Sequence, residues 1–139
     1  MRISILAVPA LLLTLAACGG DGGTPTAPSN PTLSSHNAGR DCLQCHGFSV
    51  AGTVYRDDGS AYPGAVVRLT TEAGGAGDVV ASLTADGAGN FYTSQAVSWG
   101  SGLYTDVSGA SGTVRPMDAP ITGGACNSCH AGGDRIRAE

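Results

Sequence analysis

The central part of the chain begins with residues 49–70, which read SVAGTVYRDDGSAYPGAVVRLT. Two valine-rich runs, 50–55 and 65–70, flank the turn sequences DDG (57–59) and PG (63–64). β-Branched side chains favour strands because they pack well on a pleated surface, and Asp, Gly and Pro favour the turns between strands. The stretch therefore predicts two short β-strands joined by a tight connection.

Further short strands are predicted up to residue 114. Apolar stretches at 79–84, 91–93 and 102–107 alternate with glycine-rich turns, and a strand spacing of about ten residues is typical of a β-sandwich. The 22 glycines and 7 prolines among 139 residues argue against a helical bundle. We therefore expect a mainly β fold, with a small antiparallel sandwich over residues 49–114.

The same region resembles the prealbumin-like sandwich of carboxypeptidase regulatory-like domains. The matching segments are GTV at 52–54, DDGS at 57–60, PGAVVRL at 63–69, TAD at 84–86, NF at 90–91 and GLY at 102–104. The approach to the last strand, VSWGS at 97–101, is longer than in that family. The resemblance implies a structural or interaction module that brings no catalytic site with it.

Two identical cysteine–histidine patterns flank the predicted sandwich. Motif 1 is formed by Cys42, Cys45 and His46, and motif 2 by Cys126, Cys129 and His130. Each follows C-x-x-C-H, the attachment signature of c-type haem, in which two thiols bind the porphyrin and the histidine supplies the proximal iron ligand. The sequence therefore predicts two covalently bound haem c groups, one in segment 34–48 and one in segment 115–139, which also forms the tail.

Two other interpretations of the four cysteines remain. A zinc site can use two C-x-x-C pairs, but it does not require a histidine directly after each pair. Two disulfides can form in an exported protein, although small C-x-x-C rings are more often redox-active than structural. The repeated histidine is the feature that favours haem over both alternatives.

The sixth coordination positions of two haem irons need further ligands. His36 lies six residues before Cys42, and Met117 is the one methionine outside the leader. The place of His36 resembles multihaem cytochromes, where such a histidine often ligates a different haem. Its own haem, the haem of motif 2 and a neighbouring molecule's haem all stay open, as does a solvated surface position. Met117 either ligates an iron, which would raise its potential relative to bis-histidine ligation, or packs over a porphyrin face.

The N-terminal region has the features of a lipoprotein leader. Residues 1–17 comprise a basic start and an apolar run that ends in Leu-Ala-Ala before Cys18, which resembles the lipobox of bacterial lipoproteins. The resemblance implies export, acylation of Cys18 and a lipid anchor in the bacterial envelope, at the outer membrane and cell surface or facing the periplasm. The alternative is an ordinary secretory leader. Residues 18–33, rich in Gly, Pro, Ser and Thr, predict a flexible tether.

Together these features predict an electron carrier, a lipid-anchored dihaem c-type cytochrome, rather than an enzyme. The expected partners are other redox proteins or cytochromes. If the two haems lie at opposite ends of the sandwich, head-to-tail self-association into polymers is a further expectation. The competing class is a surface-anchored binding or haem-sensor module whose sandwich recognises a ligand.

Two other classes fit the chain poorly. A net charge of −4 without any lysine excludes the basic face that a nucleic-acid binder needs. A dihaem peroxidase would need a longer chain to enclose its peroxide site.

Overall fold

The structure, a computed structural model, describes residues 35–138. Its strands are β1 (Val50–Tyr55), β2 (Val66–Thr70), β3 (Val79–Thr84), β4 (Asn90–Thr93), β5 (Tyr104–Ser108), β6 (Val114–Pro116), β7 (Gly124–Ala125) and β8 (Ile136–Arg137). One α-helical turn, α1, covers Cys126–Cys129, and 3₁₀ turns cover Cys42–Gln44 and Ala73–Gly75. The predicted leader, the tether and the acylation of Cys18 lie outside the described residues.

The strands form two sheets. The first has the order β4-β1-β7, with β8 also paired with β1, and the second has the order β3-β2-β5-β6. The second sheet and the β1–β4 pair are antiparallel, whereas β7 and β8 run parallel to β1. The predicted mainly β fold is confirmed, and the two parallel pairings are features that the alternation of residues did not indicate.

The sheets continue beyond residue 114, where the sequence predicts the sandwich to end. Strands β6, β7 and β8 are two or three residues long, too short to show the period of two that reveals a strand in sequence. Near the end of the chain, Ala138 is fully buried in the core. The C-terminal segment is thus an integral part of the first sheet.

Strand β1 is the central strand of the first sheet, and all six of its residues are buried. The core cluster beside it is built from the apolar residues Val50, Val54, Tyr62, Ala65, Val67, Leu69, Ala85, Phe91, Leu103, Val107 and Ala138. The carboxylate of Asp106 is also buried. It accepts two hydrogen bonds from the guanidinium of Arg68, at 2.9 and 3.1 Å. Such pairing offsets the cost of burying its charge.

No helix within residues 35–138 has the length and apolar character needed to cross a bilayer.

The parallel approach of β7 to β1 leaves no room for a side chain at Gly124. A Cβ atom there would overlap the carbonyl oxygen of Ser49 and lie 2.6 Å from the Cα atom of Val50. Both are backbone atoms, so neither can move without disturbing the pairing of Val50 with Gly124.

We expect Gly124→Ala to lower the free energy of unfolding by about 1–3 kcal/mol, as overpacking of a filled site does. Gly123→Ala is the matched control, because a Cβ atom at Gly123 meets nothing within 4 Å. Denaturant unfolding followed by circular dichroism measures both variants. Equal midpoints for the two variants would contradict the close approach of β7 to β1.

Candidate functional site

Each of the two cysteine–histidine motifs folds into its own helical turn. The backbone N–H of His46 donates to the carbonyl of Cys42, and that of His130 donates to the carbonyl of Cys126, each at 3.0 Å. Side chains three and four residues apart lie on the same face of such a turn. The spacing of each motif therefore suits the attachment of a single group to one side of its turn.

Motif 2 interrupts a strand that runs along one edge of β1. Strand β7 pairs with the first two residues of β1 at an offset of 74 residues (Val50 with Gly124), and β8 pairs with the last two at an offset of 82 (Val54 with Ile136). Eight residues are therefore looped out between the two pairings. This excursion carries Cys129 and His130, so β1 fixes both ends of motif 2.

Asn127, at a variable position of motif 2, connects the two motifs. It is 2% exposed, and its Oδ1 accepts the N–H of Thr53 at 3.0 Å. Its Nδ2 donates to the carbonyl of Arg40 at 3.1 Å and to Thr53 Oγ1 at 3.2 Å, and lies 3.8 Å from Cys42 Sγ. The two motifs therefore lie side by side. The arrangement at opposite ends of the sandwich, on which the head-to-tail hypothesis depends, is not the one observed.

A cavity of about 510 Å³ lies beside motif 2. Its lining includes Cys126, Cys129, His130 and Met117, and its volume is within the range of about 300–1,000 Å³ that ligand sites have. The backbone N–H of Met117 donates to the carbonyl of Thr105 at 2.7 Å, which fixes Met117 against β5. Met117 and motif 2 thus line the same cavity.

The imidazole of His130 is oriented by its own loop. Its Nδ1 lies 3.0 Å from the backbone carbonyl oxygen of Asp134. Because a carbonyl oxygen only accepts, this contact fits the tautomer with the proton on Nδ1, in which Nε2 is the nitrogen available to a metal. A ring nitrogen held in this way is the usual arrangement of a metal-binding histidine.

Motif 1 brings His36 and His46 together. Their ring centroids are 5.8 Å apart with an interplanar angle of 88°, an edge-to-face contact. His46 also stacks on Phe48 at 5.1 Å, and Phe48 stacks on Tyr92 at 4.6 Å. The sequence leaves open which haem His36 would ligate. In the structure, the His36 ring lies beside the histidine of motif 1.

The four predicted attachment cysteines are in different states. Cys42, Cys126 and Cys129 are free thiols, whereas Cys45 is disulfide-bonded. One sulfur cannot hold a disulfide and a thioether at once, so attachment at Cys45 requires prior reduction.

The two motifs also differ in the ionisation of their first thiol. Burial raises the pKa of the Cys126 thiol to about 12. Burial and the nearby Asp41 carboxylate also raise the pKa of Cys42. Both thiols are therefore protonated at neutral pH.

Residues 35–138 contain no group of three or more His, Cys, Asp or Glu side chains placed to hold a metal ion by themselves. A haem iron needs only one or two ligands from the protein, because the porphyrin supplies the other four. Motif 2 fits this group with two free thiols, an oriented histidine and an adjoining cavity. The Oγ1 atom of Thr105, a residue of the cavity wall, is also buried without a hydrogen-bond partner. Motif 1 offers a haem two neighbouring histidines, His36 and His46, and the free thiol of Cys42.

Sequence reasoning missed three residues of this site. Asn127 gives no signal, because any residue is allowed between the two cysteines of C-x-x-C-H. Arg135 and Arg137 line the cavity together with Arg115, but they lie in a segment that the sequence presents as a tail. Arg115 makes two hydrogen bonds of 3.0 and 2.9 Å with Asp57, so its guanidinium is already partnered.

Comparisons of the chain with protein-family models, with curated proteins and with solved structures find no match. The interpretation of the site therefore depends on its own geometry.

The different settings of the two motif 2 thiols predict different reactivities. Because the thiolate is the reacting species, we expect iodoacetamide to modify exposed Cys129 well before partly buried Cys126 in haem-free, reduced protein. The raised pKa of Cys126 predicts a rate that keeps rising about tenfold per pH unit until the pH approaches about 12. Peptide mass mapping across neutral to alkaline pH measures both rates. Equal modification of the two cysteines at neutral pH would contradict the burial of Cys126.

Proposed function

We propose that this chain is a dihaem c-type cytochrome that transfers electrons at the bacterial cell envelope. The observation that carries the proposal is the pair of C-x-x-C-H motifs, each closed by a hydrogen bond from the histidine N–H to the carbonyl of the first cysteine. A bound haem supplies an iron that takes up and releases one electron, while the protein sets its ligands and surroundings.

At motif 2, four side chains that line the cavity would have complementary roles. Cys126 and Cys129 provide the two attachment sulfurs, and His130 presents Nε2 as the proximal ligand. Met117 is the candidate for the opposite coordination position, because the same cavity lies against both Met117 and His130. Arg135, which lies over the Tyr55 ring, and Arg137, whose Nη1 donates to the carbonyls of Arg56 and Asp57, would supply positive charge for the carboxylates that a haem carries.

At motif 1, Cys42 and, once its disulfide is reduced, Cys45 would provide the attachment sulfurs, and His46 would be the proximal ligand. His36 is the candidate second ligand, because its imidazole ring lies next to that of His46. The two centres would then differ in ligation, with two histidines at motif 1 and a histidine and a methionine at motif 2. Methionine ligation gives the second centre the higher potential.

The predicted acylation of Cys18 and the tether that follows it would hold this unit at a membrane surface. Partners would be other redox proteins or cytochromes that approach the exposed side of a centre. His46 and Cys129 are both solvent-exposed, which supports transfer to partners without entry of a substrate into a closed site.

The first test is the number of haems per chain, measured as the pyridine haemochrome of protein made with a haem-attachment system. We expect two haems in the full chain, one in the double variant Cys42→Ala/Cys45→Ala and one in Cys126→Ala/Cys129→Ala. Cys18→Ser is the matched control, since it removes the remaining cysteine and should keep both haems. A colourless protein under these conditions would overturn the proposed function.

The second test separates the two centres. Met117→Leu keeps the apolar volume but removes the thioether, so we expect loss of the histidine–methionine band in the near-infrared spectrum and a lower midpoint potential at one centre only. The other centre serves as the internal control in the same redox titration. A spectrum identical to that of the unmodified protein would show that Met117 is not a ligand.

A further inference from the structure

We propose that Asn127 is a positioning residue that holds motif 1 and motif 2 together as one unit, so that two groups attached to a single chain lie next to each other. The inference rests on the proposed function and deepens it, because it specifies that the two centres are neighbours within one molecule.

The carboxamide of Asn127, a residue within motif 2, uses its hydrogen-bonding capacity on β1 and on the segment that enters motif 1. An asparagine side chain has two N–H donors and one carbonyl acceptor. The donors go to the carbonyl of Arg40 and to Thr53 Oγ1, and the acceptor takes the N–H of Thr53. Buried at 2% exposure, these groups have no water to replace a lost partner, so the arrangement is strongly specified.

Asn127 is also the last residue before motif 2 leaves the edge of β1. Its hydrogen bond to Thr53 spans 74 residues, the same offset at which β7 pairs with β1. The looped-out residues that carry Cys129 and His130 follow directly. The position of Asn127 therefore sets where this excursion begins.

Motif 1 depends on the same side chain. Arg40, whose carbonyl accepts from Asn127, lies two residues before Cys42, and Cys42 Sγ lies 3.8 Å from Asn127 Nδ2. Because the contact is to the backbone of Arg40, it restrains the path of the chain that enters motif 1. One carboxamide thus positions the first cysteine of motif 1 relative to motif 2.

The other variable position of motif 2 has no such role. Ser128 is exposed, and its hydroxyl donates to the carbonyl of Ala125 within the same turn. Ser128→Ala therefore changes a neighbouring polar side chain of the same motif without touching motif 1, which makes it the matched control.

The test is Soret circular dichroism of the loaded, full-length protein, kept monomeric as checked by light scattering. Two neighbouring haems couple their transitions and give a pair of bands of opposite sign. We expect this couplet in the unmodified protein and in Ser128→Ala. Asn127→Asp keeps the acceptor for Thr53 but turns a carboxylate oxygen toward the Arg40 carbonyl, so we expect a large loss of couplet amplitude with both haems still attached.

Each outcome decides the proposal. Two haems per chain without a couplet in the unmodified protein would overturn it, and so would a full couplet in Asn127→Asp. If Asn127→Asp fails to fold, nuclear Overhauser effects in the unmodified protein between the Asn127 side-chain amide and the Cys42 β-protons decide in its place, with their presence supporting the proposal and their absence overturning it.

The same experiment separates this inference from the proposed function. If the protein carries no haem, the proposed function fails, but the Overhauser effects are then measured on the colourless chain. Their presence would still show that Asn127 holds the two cysteine–histidine turns together, whereas their absence would overturn the positioning role as well.

Discussion

The arrangement of the whole site depends on the buried carboxamide of Asn127 beside β1. Strand β1 is buried along its full length and pairs with three other strands. At the point where its edge would otherwise be left unpaired, Asn127 accepts the N–H of Thr53. A side chain thus replaces a strand partner, and the backbone that would have supplied that partner is free to leave the sheet as a cysteine–histidine turn. The hydrogen bond that satisfies the N–H of Thr53 is therefore also the contact from which motif 2 leaves the sheet.

This constraint explains why motifs that lie 84 residues apart in sequence, Cys42 and Cys126, meet in space. Motif 1 precedes β1, and motif 2 interrupts the segment that pairs in parallel with β1. Strand β1 therefore positions both motifs. Their surroundings differ, with two stacked histidine and phenylalanine rings at motif 1 and a cavity at motif 2. If both proposed haems bind, unlike ligands would give the two centres different potentials.

Much of the fold follows from the sequence, because β1 and β3 show both β-branched composition and flanking turns and begin and end where predicted. The short strands β7 and β8 could not be predicted, since their parallel pairing with β1 is a long-range contact that leaves no local pattern. The motif cysteines and histidines were identified from their spacing alone. Their mutual arrangement was not, because it depends on Asn127, whose position in C-x-x-C-H carries no sequence signal. The disulfide at Cys45 was likewise not expected.

The most direct test of the account is the location of iron in crystals of the loaded, full-length protein by anomalous scattering at the iron edge. The account predicts two iron sites per chain, both beside β1, one between His36 and His46 and the other in the cavity lined by Met117 and His130. Iron sites at opposite ends of the sandwich, or crystals without iron, would contradict it.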